Sequence, residues 1–274
     1  MDGHLLIQNA TLVLPDRVVE GDLRVSGGSI ANIAAGGGLQ PSNDETVIDA
    51  TGLYLLPGAI DPHVHFREPG NTDKEDLESG SRAAAAGGVT SFLDMPNNNP
   101  NATNRSTLER KIALASKKSV THHGFFIGAT NDNISDLQSV EGMDGVCGIK
   151  IFMGSSTGDL LVHEQEHLEN IFANTGGIIA THAEDEDRLQ RRTEKFSHRT
   201  DIASHAECRD VECAFLATKR AASLAKDHEH RLHVAHLTSG KEADWLHRNK
   251  GNLVTTEVCT QQLSQIETPQ LVVL

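Results

Sequence analysis

Two histidines one residue apart, His63 and His65, close an apolar run that begins at Leu55. Strand side chains alternate between faces, so residues at i and i+2 point the same way and both imidazoles can reach one ion. Neutral imidazole is a good zinc donor, but zinc prefers about four ligands, and two histidines leave its shell half filled. His182 follows the stretch Ile178–Thr181, and His236 follows Leu232–Ala235, so each stands where a short strand ends. Taken singly, each reads as a polar residue hydrogen-bonded at a loop edge. Four such histidines at the same end of three strands point instead to a metal centre. Lys150 interrupts the apolar run Val146–Met153. A charged ammonium in a buried strand is unfavourable unless it is paired or neutralised, or unless its head reaches solvent at the strand end.

One further pattern competes for a metal. His163-Glu164-Gln165-Glu166-His167 matches the H-x-x-x-H helix of zinc proteases, with glutamate in second place. At 100° per residue Leu161, Leu168 and Phe172 gather on one side and the two histidines on the other, which puts the histidines on a solvated surface.

The elements that must position these residues change character along the chain. Residues 4–55 alternate short β-like runs with glycine-rich turns and read as a small β domain over 1–54. The triplet Gly36-Gly37-Gly38 lacks the context of a phosphate loop. From residue 55 to 259 strand and helix patterns alternate, which implies an α/β class with a parallel sheet. Strands are expected at Tyr54–Val64, Val89–Met95, His123–Ala129, Val146–Met153, Gly177–Thr181, Leu232–Leu237 and Leu253–Val258. The first helix is expected to start at the capping-box pattern Thr72-x-x-Glu75 and stop at Gly87-Gly88, and another to run from Arg209 to Leu224. Seven strands approach a (β/α)8 TIM-like barrel, in which the active site gathers at the C-terminal strand ends.

The sequence has 38 acidic and 24 basic residues and a formal net charge of -14, which argues against a nucleic-acid or anionic-membrane surface. Its four cysteines form no C-x-x-C pair, the first residues do not read as a signal peptide, and no apolar run approaches a membrane span. A cytoplasmic location is the expectation.

The string Pro57-Gly58-Ala59-Ile60-Asp61-Pro62-His63-Val64-His65-Phe66-Arg67-Glu68-Pro69-Gly70 closely resembles the signature of the cyclic amidohydrolases. Arg67 after H-x-H-x makes it most similar to dihydroorotase. The resemblance implies two divalent ions, zinc foremost, on His63, His65, Lys150, His182 and His236, with Lys150 converted by carbon dioxide to a bridging carbamate. It further implies attack on a cyclic amide carbon, interconverting N-carbamoyl-L-aspartate and L-dihydroorotate in pyrimidine synthesis, with a homodimer as the candidate assembly. Arg67 has the planar fork that suits a substrate carboxylate. Asn97, in a run similar to the family's M-P-N turn, is assigned to the same carboxylate; read alone, Pro96-Asn97-Asn98-Asn99-Pro100 is simply a turn.

The resemblance fades after Cys259. Residues 260–274 form an atypical tail, and no aspartate occurs after Asp244, where the family's D-x-A-P-like motif supplies the proton-transferring aspartate. The expectation is therefore a barrel incomplete at its C-terminal end, with no acid/base residue assigned and weak turnover. An allantoin- or hydantoin-type ring is the alternative substrate, and a non-catalytic partner of aspartate transcarbamoylase the alternative role.

Overall fold

A computed structural model describes residues 4–156, 158–260 and 262, so most of the expected tail, 260–274, lies outside the described residues. The chain divides into two compact units, Met1–Ala59 and Ile60–Leu274. In the first, β1 (His4–Val13), β2 (Val18–Ser26), β3 (Ser29–Ala35), β4 (Glu45–Asp49) and β5 (Tyr54–Leu55) form one sheet. Its order is β3-β2-β1-β4, with β5 also against β1. Ala10, Leu12 and Ala50 form its small core. The single strand expected over Tyr54–Val64 is in fact two. Tyr54 and Leu55 pair with Thr11 and Leu12, and the chain leaves the ladder at Leu56-Pro57-Gly58, where proline has no N–H to donate.

The second unit is a βα repeat. Its strands are β6 (Ala59–Val64), β7 (Val89–Asp94), β8 (His122–Gly128), β9 (Val146–Phe152), β10 (Ile178–His182), β11 (Arg231–Val234) and β12 (Val254–Thr256). They lie in sequence order, from β6 at one edge to β12 at the other, as a curled sheet forming an incomplete TIM barrel. The registered pairs are all parallel. Ile60 of β6 is 65% exposed, as befits a strand that has one neighbour among the described residues.

The connecting helices are α1 (Leu77–Ala86), α2 (Arg105–Lys118), α3 (Ile134–Ser139), α4 (Gln165–Asn174), α5 (Glu186–Phe196), α6 (Ala203–Cys208), α7 (Val211–Asp227) and α8 (Gly240–Asn249). Alternation along the strands splits the apolar residues into two sets. Phe125, Ile127, Ile149 and Ile151 join Leu108, Leu168, Phe172 and Ala221 in the main core with the helices. Phe126, Ala180 and Met95 form a second cluster on the other strand face. The start of α1 differs from expectation: its capping box is Asp76 with Ser79, so Thr72 and Glu75 precede the helix. The protease-like pattern is not helical throughout either, because α4 begins at Gln165 and leaves His163 outside it. No helix among the described residues is long and apolar enough to cross a membrane.

Candidate metal centre

The strand ends bring the four expected histidines into one row. Ring centroids are 5.2 Å apart for His65 and His63, 5.3 Å for His63 and His236, and 4.7 Å for His236 and His182. His63 and His65 leave the end of β6, His182 ends β10, and His236 lies just past β11. His236 has φ +38°, in the left-handed region that non-glycine residues rarely adopt, and such strain collects at functional sites.

Hydrogen bonds set which ring nitrogens are free. His63 Nδ1 lies 2.5 Å from Glu257 Oε1, and His65 Nδ1 lies 2.8 Å from Asn97 Oδ1. Both partners are acceptors, so both rings carry their proton on Nδ1. The two Nε2 atoms then face each other across 3.2 Å, and with both rings neutral they present two lone pairs that a shared cation would satisfy. In the same way Glu184 Oε2, 2.7 Å from His182 Nε2, leaves His182 Nδ1 as a lone pair 2.8 Å from His236 Nε2. Burial is the main reason that His65 and His236 are pushed down to about 3, with His63 and His182 respectively as the next cause. Both therefore stay neutral, which is the ligand form of imidazole.

Lys150 points into the same space. It sits in β9 beside Gly128 and Ala180 of the flanking strands and is 1% exposed, so its head does not snorkel to solvent. Its Nζ has no hydrogen-bond partner among the described residues. Burial pushes it down to about 7, opposed only by the Glu257 carboxylate. A buried amine with no hydrogen-bond partner among the described residues, beside the ring nitrogens of the histidine row, is a donor set that would suit a divalent cation once the lysine is neutral. Among the described residues no three His, Cys, Asp or Glu side chains already close on one point.

Glu257, just past β12, was not singled out from sequence. It bridges His63 and His233, the latter with Nε2 3.2 Å from Oε2, and its Oε1 also lies 3.3 Å from the His236 backbone N–H. Burial alone would raise this carboxyl, but the two histidines hold it well below the usual range. Its place directly after a short strand, like that of His236, is the signal that could have found it. Glu184, which also accepts from Arg209 at 2.9 Å, was missed for the same reason. A cavity of about 560 Å³, lined by His182, Glu184, Arg209, His236, Ser239 and Cys259 among others, opens beside the row.

The expected carboxylate-binding residues lie at the other end. Arg67 is half-buried and near enough to His65 to disfavour its protonation, and among the described residues no hydrogen bond or ion pair engages its guanidinium. Asn97 gives its carbonyl to His65, which leaves its amide N–H groups for a ligand.

Comparison with known proteins completes the picture. The model of the amidohydrolase family matches residues 54–264. An allantoinase from Deinococcus radiodurans is 34% identical over 96% of this chain and 60% of its own length. A dihydroorotase from Methanosarcina acetivorans is 32% identical over 94% of this chain and 56% of its own. The solved L-hydantoinase (dihydropyrimidinase) from Arthrobacter aurescens superposes with a TM-score of 0.88 at 25% identity, over 97% of this chain and 60% of its own. The chain thus spans somewhat over half the length of the proteins it matches.

Proposed function

The chain belongs to the amidohydrolase family, and from that premise we propose that its barrel binds and opens a small cyclic amide bearing a carboxylate, as in the interconversion of L-dihydroorotate and N-carbamoyl-L-aspartate. The observation that carries this reading is Arg67, a half-buried guanidinium beside His65 that no side chain among the described residues engages. A fixed fork of N–H donors in that position selects a planar anion, and bidentate pairing sets its orientation. Asn97, whose carbonyl meets His65, would supply a second donor through its amide N–H groups.

His63, His65, Lys150, His182 and His236 would hold the ions, two divalent metals with zinc foremost. When bound, such ions supply polarisation of the amide carbonyl and a water acidified for attack. The protein's own contribution is to keep the ligands in the right protonation state. Glu257, Asn97 and Glu184 fix the tautomers of His63, His65 and His182, and burial keeps His65 and His236 neutral. With its ammonium pushed down to about 7, Lys150 offers a free amine near neutral pH. That is the form that adds carbon dioxide, forming an N–C bond and releasing a proton.

An uncharged ring is the second reading, favoured by the allantoinase and hydantoinase named above. Calorimetric titration of the zinc-loaded protein with L-dihydroorotate, allantoin and hydantoin separates the two. The expected result is binding of dihydroorotate that weakens by roughly 2–5 kcal/mol in Arg67→Ala, the usual cost of deleting one partner of a buried charge pair. Equal affinity for the uncharged rings, together with no effect of Arg67→Ala, would overturn the carboxylate reading.

A further inference from the structure

The molecule holds a second buried lysine outside the metal centre. Lys111 lies in the middle of α2, yet it is 1% exposed, and its partner Asp94, at the end of β7, is fully buried. Burial pushes Lys111 down and Asp94 up to about 6, and each holds the other against that trend. Replacing a buried ion pair by apolar residues is often neutral or stabilising, so the pair is not accounted for by stability alone.

Its connections show a different use. Lys111 Nζ donates to Met95 O at 2.7 Å and to Asn98 Oδ1 at 2.5 Å, with Asp94 Oδ2 2.9 Å away. Asp94 Oδ1 accepts from the Phe66 backbone N–H at 3.0 Å. Asn98 Nδ2 donates to Phe66 O and to Glu68 O, both at 3.1 Å. The residues held are thus Phe66 and Glu68, which bracket Arg67, and Met95 and Asn98, which bracket the Pro96-Asn97 pair. Two loops from neighbouring strands are tied through one ammonium, and each carries one proposed ligand-binding side chain.

We propose that Lys111 is a positioning residue, which through Asp94 and Asn98 fixes the two loops so that Arg67 and Asn97 face the same ligand carboxylate. The inference rests on the reading of Arg67 and Asn97 given above. It differs from a role in general stability because the ammonium's acceptors belong to these loops and not to the metal ligands.

The test uses the full chain and the double variant Lys111→Met/Asp94→Asn, which removes both charges and leaves neither buried alone. Asn98→Ala serves as a second variant, since it cuts the ties to Phe66 and Glu68 while sparing the ion pair. Zinc content, hydrogen exchange and L-dihydroorotate affinity are measured on each, with Arg67→Ala as a control. The expected result is unchanged zinc content, exchange at least about tenfold faster confined to residues 66–71 and 95–99, and affinity weakened by about tenfold or more, since misplacement of about 1 Å can cost 10²-fold.

Exchange that is unchanged in those loops, or that rises evenly through the barrel, would overturn the proposal. So would full affinity in both variants when Arg67→Ala has lost it. If Arg67→Ala itself keeps full affinity, the carboxylate reading fails, and with it the ligand-positioning role, whereas loop exchange still reports whether Lys111 ties the loops.

Discussion

Replacing Lys150 by methionine should make the metal-free protein more stable. The side chain is 1% exposed and its Nζ has no hydrogen-bond partner among the described residues. Burial moves it from the ordinary 10.5 to about 7. At about 1.4 kcal/mol per pH unit, that gap is a penalty of about 5 kcal/mol on the folded state whenever the amine is protonated in both states. The direction with pH follows from the folded value being the lower one. Below about pH 7 the penalty is complete. It is relieved as pH rises toward 10.5, because the unfolded chain then binds the extra proton. Methionine keeps an unbranched apolar stem and brings no charge, though its fit is not perfect. The expected gain in Lys150→Met, followed by urea unfolding after chelator treatment, is therefore roughly 2–5 kcal/mol at pH 6, shrinking to near zero by pH 10. With zinc and bicarbonate the advantage of the variant should shrink. A ligand at 100 times its dissociation constant stabilises the native state by about 2.7 kcal/mol, and the variant would lack one of the proposed ligands and with it part of that gain. A variant that is less stable than the parent at pH 6 without metal, or that gains as much from zinc, would refute the reasoning.

Three other outcomes follow from the same geometry. His63→Ala and His182→Ala should each lower the zinc retained after dialysis, by elemental analysis, from about two ions per chain; equal retention in both variants would remove these residues from the centre. Asp210 caps α7 through the Cys213 N–H and takes Arg188 in a bidentate pair at 2.9 and 2.6 Å, which holds its carboxyl well below the usual range. Asp210→Ala should cost about 1–3 kcal/mol at pH 7, and the difference from the parent should fade as pH drops below about 4, because a lowered carboxylate contributes in full above its ordinary value and loses that contribution as pH falls toward the lowered one. Gly70 has φ +109°, and a Cβ there would lie 2.5 Å from both Cβ and O of Asn99. Gly70→Ala should lower the melting temperature and weaken dihydroorotate binding together, because the strain falls in the loop that presents Arg67.

What the sequence disclosed, and what it hid, divides along the range of the interactions. The His63–His65 pair was legible because strand alternation is a property of adjacent residues, and His182 and His236 were legible because a short apolar run before a histidine marks a strand end. The same local reasoning misplaced the start of α1: Thr72-x-x-Glu75 and Asp76-x-x-Ser79 are both capping patterns, and only the fold decides that Glu68 receives the Leu77 N–H and the helix begins there. It also joined Tyr54–Val64 into one strand, since the two halves separate by pairing with different sheets.

The residues that tune the site were hidden for a stronger reason. Glu257 meets His63 from 194 positions away, and Lys111 stands in a helix with Arg105, Arg110, Lys117 and Lys118, where its spacing from Leu108 and Ala115 places it on the buried face but does not reveal its partners. Each becomes special only by being buried, and burial of a charge is set by tertiary packing. Such charges are expensive unless satisfied, so a fully buried Lys111 or Lys150 carries more functional meaning than an exposed one in the same sequence context. The two lysines then separate cleanly: Lys111 has its acceptors within the protein and is proposed to hold loops, whereas Lys150 has none among the described residues and is the one proposed to react with carbon dioxide.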